Sequence, residues 1–230
     1  MDIQNMHIGV KLGLDKSSSL VLPVFEADEI DYWLNKAIRK FVKTRYSGLN
    51  PKGKGFEQNQ KRTDDLRTLI VTDTIDVTPL ATGNLSDYGA VFSIPTDYWF
   101  ALQEGAGITV SASVGEIRVG ITECTYDEYT RKIEDPFSEH KVHYGTAKPL
   151  RLFDNAQVEL ITDGTYTVSH YYLTYLKKPD TVDNVPAGTT DCDLPEHTHD
   201  EIVEIAVGMI LENIESPRLQ THANEVNTME

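Results

Sequence analysis

Apolar residues at helical spacing between positions 30 and 42 constrain this fold more than any other feature of the sequence. They are Ile30, Trp33, Leu34, Ala37, Ile38, Phe41 and Val42. Steps of three and one alternate along this set, which places every member on one side of an α-helix. Acidic residues lie in the first turns and basic residues in the later ones, as the helix dipole favours. With Ser47-Gly48 as the stop, the pattern predicts a helix over residues 26–46.

A second apolar set lies near the end of the chain and is broader. It comprises Ile202, Val203, Ile205, Ala206, Val207, Met209, Ile210, Leu211 and Ile214. Pro195 suits the first position of a helix because its missing N–H would have no partner there. A helix over 195–214 that is apolar nearly all round is expected in a crowded bundle or between subunits. The candidate packing or interface residues of the two helices are Ile30, Trp33, Leu34, Phe41, Ile202, Ala206, Met209 and Ile210.

The sequence between these helices changes to short alternating runs that are typical of β-strands. The runs cover residues 69–77, 88–94, 98–113, 116–125, 150–153, 157–162 and 165–177, and helical pieces are predicted at 56–66 and 126–134. Asp163-Gly164, which separates the last two runs, predicts a hairpin turn. Residues 1–22 are predicted to form an extended N-terminal arm, with a short strand at 19–22.

These elements predict an α+β protein. Residues 23–68 and 194–215 are expected to form a helical bundle domain, and 69–193 a large β-rich insertion that is sandwich-like or barrel-like. Residues 216–230 are polar and are expected to form a flexible tail. A chain of 230 residues can bury a core without a metal or a disulfide.

Composition restricts the possible partners. The formal charge of −15 disfavours a protein whose main task is gripping nucleic acid, because phosphate contacts need clustered Lys and Arg. The sequence has no apolar run near the roughly 20 residues of a membrane span, and its N-terminus does not resemble a secretory signal. Cys124 and Cys192 lack CxxC spacing and are expected to be reduced thiols in a protein made in a cytosol.

The chemically reactive residue types form no recognisable site. His197 and His199 would point about 200° apart on a helix, so they could not share a metal ion. Lys52-Gly53-Lys54-Gly55 lacks the spacing of a phosphate-binding loop and is expected to be a surface loop. The sequence contains no GxSxG elbow, and no spacing selects a pair of catalytic carboxylates. We therefore predict no catalytic, cofactor-binding or metal-binding residue and no enzymatic activity.

Segments taken in order along the chain carry a resemblance to a known family. They are Phe25–Ala37 with its continuation Phe41–Tyr46, then Ser93–Tyr98, Lys132–Phe137, and Leu194–His197 opening into Glu201–Val207. This layout resembles the head-to-tail adaptor proteins of short-tailed bacteriophages, of the tail tubular protein A type. It is especially similar to the ring or collar proteins of crAss-like phages.

The resemblance implies a structural subunit of a ring, dodecameric in form, that lies beneath the portal in the neck of the virion. It implies self-association, contacts with the portal and other neck or tail proteins, and passage of genomic DNA through the lumen without sequence-specific binding. The protein would be made in the cytoplasm of the host bacterium. Two alternatives stay open from the sequence: a virion module that binds carbohydrate or a receptor, and a hydrolase acting through two carboxylates.

Overall fold

Two units make up the chain, and each is described by itself. Unit 1 comprises Met1–Leu69 with Pro179–Glu230, and unit 2 comprises Ile70–Lys178. The computed structural model describes residues 1–15, 25–47, 59–77, 86, 88–111, 115–185 and 188–214. The predicted mixture of helices and strands is confirmed. The predicted strand at 19–22 and the tail at 216–230 lie outside the described residues, as do the first residues of the helix predicted at 56–66.

Helices dominate unit 1. They are α1 (Ile3–Asp15), α2 (Ala27–Tyr46), α3 (Gln60–Leu66) and α5 (His199–Asn213), with 3₁₀ turns at Arg67–Leu69 and Glu196–Thr198. The predicted helix over 26–46 is confirmed as α2. Its start is fixed by a capping box, in which Glu26 and Glu29 each satisfy the other's backbone N–H. Both α1 and α2 contact α5, so α5 lies against two helices.

The extended arm predicted for residues 1–22 is wrong for residues 3–15, which form helix α1. Ile3, Met6, Val10 and Leu14 recur every three or four residues and are all buried. Glycines at positions 9 and 13 weaken the intrinsic preference of this segment for a helix. Contact with α5 stabilises the helix despite that weakness, as is usual for helices in proteins.

In its described residues, unit 2 contains two four-stranded sheets. In the first sheet the order is β1 (Ile70–Asp76), β8 (Thr167–Lys177), β3 (Tyr98–Thr109) and β4 (Ile117–Val119), and all neighbours are antiparallel. The second sheet has the order β2 (Gly89–Ser93), β7 (Gln157–Ile161), β6 (Leu150–Asp154) and β5 (Thr122–Glu123), with β5 parallel to β6. Helix α4 (Tyr126–Glu134) follows β5 and confirms the helical piece predicted at 126–134. A separate hairpin, β9 (Asp183–Val185) with β10 (Gly188–Thr190), belongs to unit 1.

One hydrophobic core joins the two sheets of unit 2. It combines Phe92, Val158 and Leu160 of the second sheet with Ile108, Tyr171 and Leu173 of the first. The other face of the second sheet packs through Leu150, Leu152 and Ile161 against Tyr129 and Ile133 of α4. Within the described residues neither sheet closes on itself, so the barrel-like alternative is wrong and the sandwich-like one describes the unit.

The hairpin predicted at Asp163-Gly164 is also wrong. The turn is present, with Gly164 at φ +82° and the Asp163 carboxylate accepting the Thr165 N–H at 2.9 Å. However, β7 pairs with β2 and β6, whereas β8 pairs with β1 and β3. The turn therefore carries the chain from one sheet to the other. The tight hairpin between β6 and β7 instead uses Asn155, at φ +53°.

Candidate assembly surfaces

The structure buries most of the predicted packing or interface residues inside unit 1. Side chains with 0–1% of their surface exposed are Ile30, Leu34, Phe41, Ile202, Ala206 and Ile210. Trp33 and Met209 are half-buried. A residue with no accessible surface can reach a neighbouring subunit only if the unit rearranges. The role of these residues at a subunit interface stays a prediction, and in the isolated chain the six buried residues pack within the unit.

The contact between α1 and α5 is close, and the sequence did not predict it. A Cβ added at Gly9 would lie 3.1 Å from Cγ1 of Val203, and one added at Gly13 would lie 2.7 Å from Cγ2 of Val207. The two glycines therefore let the backbone of α1 approach the valines of α5. The outward side of α1 leaves Ile8 53% exposed and Leu12 56% exposed.

Buried charges connect three helices of unit 1. Arg45 of α2 lies with its Nε 3.1 Å from Oδ2 of Asp65 in α3, and its side chain donates to Glu201 of α5 at 2.5 and 2.6 Å. The side chains of Arg45 and Asp65 are 6% and 2% exposed. His197 places its Nε2 3.0 Å from the other oxygen of Asp65. The planar guanidinium suits this arrangement because it can serve carboxylates in two directions at once.

The histidines of this region have structural partners. While His197 faces Asp65, the buried His199 bonds through Nε2 to the backbone carbonyl of Leu194 at 2.9 Å. The described residues contain no group of three or more His, Cys, Asp or Glu side chains that could hold a metal ion.

A second polar contact fixes α1 and the β9–β10 segment to α2. Nε2 of His7 lies 2.7 Å from Oδ1 of Asp31, and both residues are buried. The other oxygen of Asp31 accepts the N–H of Asn184 at 3.1 Å. The amide of Asn35 bonds to both the N–H and the C=O of Val182, each at 2.9 Å, as a neighbouring strand would.

An ion pair lies between the sheets of unit 2. Arg151 of the second sheet bonds to Glu104 of the first, and Tyr171 donates to Glu104 at 2.5 Å. Burial alone would lower the pKa of the Arg151 guanidinium, but the hydrogen bond and charge of Glu104 raise it above its ordinary value. Burial, followed by the charge of Glu104, raises the pKa of Tyr171. Arg151 and Tyr171 thus both bond to the carboxylate of Glu104, which is the arrangement of a structural pair.

The thiols offer no support for a nucleophile. Burial raises the pKa of Cys124, and burial is also the main cause of the raised pKa of Cys192. Both effects favour the neutral thiol, whereas a nucleophilic cysteine needs a lowered pKa.

Aromatic residues on the outer face of the first sheet are already engaged with charged neighbours. The guanidinium of Arg118 lies 4.3 Å from the ring centre of Tyr172, whose hydroxyl donates to Glu116 at 2.9 Å. His170 stacks near Tyr172 and bonds to Glu116 at 2.9 Å. This ring face is covered by a cation, so it gives the carbohydrate-binding alternative no support.

No helix among the described residues is both long and apolar enough to cross a bilayer. Comparison with known proteins then gives two matches. A family model described as phage tail ring protein 3/4 matches residues 1–222. The chain is also 25% identical to Ring protein 4/5 of Bacteroides phage crAss001 over 189 residues, which cover 76% of this chain and 77% of that protein.

Proposed function

The chain belongs to the phage tail ring protein 3/4 family, a group of structural ring components of the virion, and we propose that it forms an oligomeric ring in the head-to-tail connector. The observation that carries the proposal is the extent of the family match. Residues 1–222 include the described parts of both units. The family match therefore supports a ring function for the two units together and not for one segment of the chain.

In this proposal the ring bridges the portal and the tail, and genomic DNA passes through its lumen. The chain's net charge of −15 supports this arrangement physically. A wall built from acidic subunits repels the phosphate backbone at short range, so it lets DNA move without holding it. Screening confines this effect to about 8–10 Å at physiological salt, which is the scale of a channel wall.

We further propose a dodecamer, whose contacts with the portal and tail proteins fix its place in the neck. A closed ring requires each subunit to carry two different, mutually complementary surfaces, because its contacts run head to tail. Two units of different architecture within one chain can supply such surfaces.

The test is assembly. The purified protein, alone and mixed with the portal protein of the same phage, is examined by mass photometry and by electron microscopy of negatively stained particles. The expected result is a closed ring of twelve subunits of 25.8 kDa, formed alone or on the portal. A protein that stays monomeric at all concentrations in both conditions would refute the proposal. A ring with another number of subunits would correct only the stoichiometry.

A further inference from the structure

The connection from α4 to β6, residues 135–149, is long for a loop and is nevertheless firmly anchored. His140 and Ala147 are buried, and the Tyr166 hydroxyl donates to the His140 carbonyl at 2.9 Å. The Lys148 N–H donates to the Glu139 carbonyl at 2.8 Å. Connections between elements usually span about 4–6 residues, and much longer ordered ones usually carry a function.

The tip of this loop holds an aromatic ring out in solvent. His143 and Thr146 exchange backbone hydrogen bonds of 2.9 and 3.1 Å around Tyr144 and Gly145, whose φ angles are +53° and +80°. A left-handed conformation costs a non-glycine residue about 1–2 kcal/mol. Tyr144 adopts this strained backbone conformation although its side chain is fully exposed and makes no packing contact that would offset the cost. The ring therefore contributes nothing visible to folding, which points to a contact outside the chain.

A second large apolar side chain, Phe137, lies on the same loop and is 84% exposed. The N–H of Phe137 donates to the Asp135 carboxylate at 2.9 Å, which fixes the turn that presents it. One shallow depression is bordered by Phe137 and Glu139, and a second by Glu139 and His143. The two depressions meet at Glu139 and form one continuous surface.

Charge distinguishes this surface from the rest of the chain. Residues 135–149 carry two Lys against two Asp or Glu and are formally neutral, whereas the whole chain has a net charge of −15. Glu139 is already paired with Lys148 at 3.2 Å, and this pairing also lowers the pKa of Glu139, after the hydrogen bond from Thr122. Lys141 and His143 border the second depression. The surface thus places two lysines beside exposed aromatic rings in an otherwise acidic chain, a composition that favours an acidic partner.

Taking the proposed ring as given, we propose that the loop surface, defined by Phe137, Lys141, His143, Tyr144 and Lys148, is one half of the contact between neighbouring copies. Its occupant is a carboxylate-rich surface of a second copy. Head-to-tail closure demands a partner surface unlike the loop surface. The run 179–214 meets this demand, because it carries nine Asp or Glu and no Lys or Arg. Exposed carboxylates within it include Asp200 and Glu212.

Assembly of full-length variants tests this inference. Tyr144→Ser, and separately Lys141→Glu with Lys148→Glu, should raise the protein concentration at half-assembly at least about tenfold, as expected for loss of interface anchors. Matched controls are Tyr32→Ser, at another exposed tyrosine, and Lys61→Glu, at another exposed lysine. The controls should assemble as the wild type does, and the circular dichroism of every variant should match that of the wild type.

Charge exchange makes the test specific for a second copy. Asp200→Lys with Glu212→Lys should also impair the ring, and combining these changes with the two Lys→Glu changes in one chain should restore it. If the wild type forms rings and the loop variants assemble equally well, the inference is wrong while the ring function stands. Loss of assembly without restoration by charge exchange would overturn the chosen partner surface. A wild type that forms no ring refutes the proposed function itself, and this inference with it.

Discussion

Replacement of Arg45 by methionine should destabilise unit 1 strongly. Methionine keeps much of the length and apolar volume of arginine but removes the charge that faces Asp65 at 3.1 Å. The Asp65 side chain is 2% exposed and, among the described residues, would keep His197 as its remaining ionic partner. Removal of one member of a buried ion pair costs about 3–5 kcal/mol, because the remaining charge is left without compensation. We therefore expect a loss of this size in the free energy of unfolding.

The two tryptophans make this effect measurable in one unit. Trp33 lies in α2 of unit 1, and Trp99 lies in β3 of unit 2. In a Trp99→Phe background, the fluorescence of Trp33 during urea denaturation reports on unit 1. All variants are compared at one fixed protein concentration, because assembly adds its own concentration-dependent stabilisation.

A double variant decides whether the reasoning about Asp65 is correct. Arg45→Met with Asp65→Leu removes both charges, so it should recover at least about 2 kcal/mol of the loss, since apolar replacement of a whole buried pair is often close to neutral. Arg45→Lys should stay destabilised, because one ammonium cannot serve Asp65 and Glu201 with the geometry of a guanidinium. A loss below about 1 kcal/mol in Arg45→Met, or no recovery in the double variant, would refute the argument.

Three further predictions concern packing, hydrogen bonding and pH. Gly13→Ala places a Cβ 2.7 Å from Cγ2 of Val207, so the effects of Gly13→Ala and Val207→Ala should depend on each other. A double-mutant cycle measured by urea denaturation should show a coupling free energy of about 1 kcal/mol or more. The effects of independent sites would add within about 0.5 kcal/mol. Tyr171→Phe removes the 2.5 Å hydrogen bond to Glu104 and should lower the free energy of unfolding by about 1.5–3 kcal/mol. Burial and then a carboxylate partner raise the pKa of Tyr175 to about 12, from about 10 when unfolded. Between about pH 10 and about pH 12 the native state therefore keeps a proton on Tyr175 that the unfolded state releases. The contribution of Tyr175 to the free energy of unfolding is complete below about pH 10 and is lost as the pH rises to about 12. In thermal melts, Tyr175→Phe should make the melting temperature fall less steeply over this pH range.

Periodicity predicted the elements whose burial follows from their own sequence. Helix α2 has a single apolar face, and most of that face lies in the core, so local spacing was enough. Trp33 is the exception, since it lies at the border of the face and is half-buried, with the Lys36 ammonium 4.6 Å from its ring centre. Sequence spacing identifies a face, but the depth of each residue depends on the helices that cover it.

Helix α1 was missed because its stabilisation is tertiary. In the sequence, Gly9 and Gly13 indicate backbone flexibility and therefore disfavour a helix. In the structure, their missing side chains allow close contact between α1 and Val203 and Val207 of α5. A usable signal was present in the recurrence of Ile3, Met6, Val10 and Leu14 on one side. The sheets show the same limit. Asp163-Gly164 specified a turn correctly, but a turn does not specify whether the strands on either side pair with each other.

The contact between α1 and α5 also changes the meaning of the broad apolar surface of α5. From the sequence, that breadth indicated either a crowded bundle or burial against another subunit. The structure supplies α1 as a second helix beside α2, and Val203 and Val207 lie against its glycines. The apolar surface of α5 is thus largely covered within one chain, with Met209 left half-buried. The breadth of α5 therefore gives no argument for a ring, and the case for assembly rests on family membership and on the exposed loop surface instead.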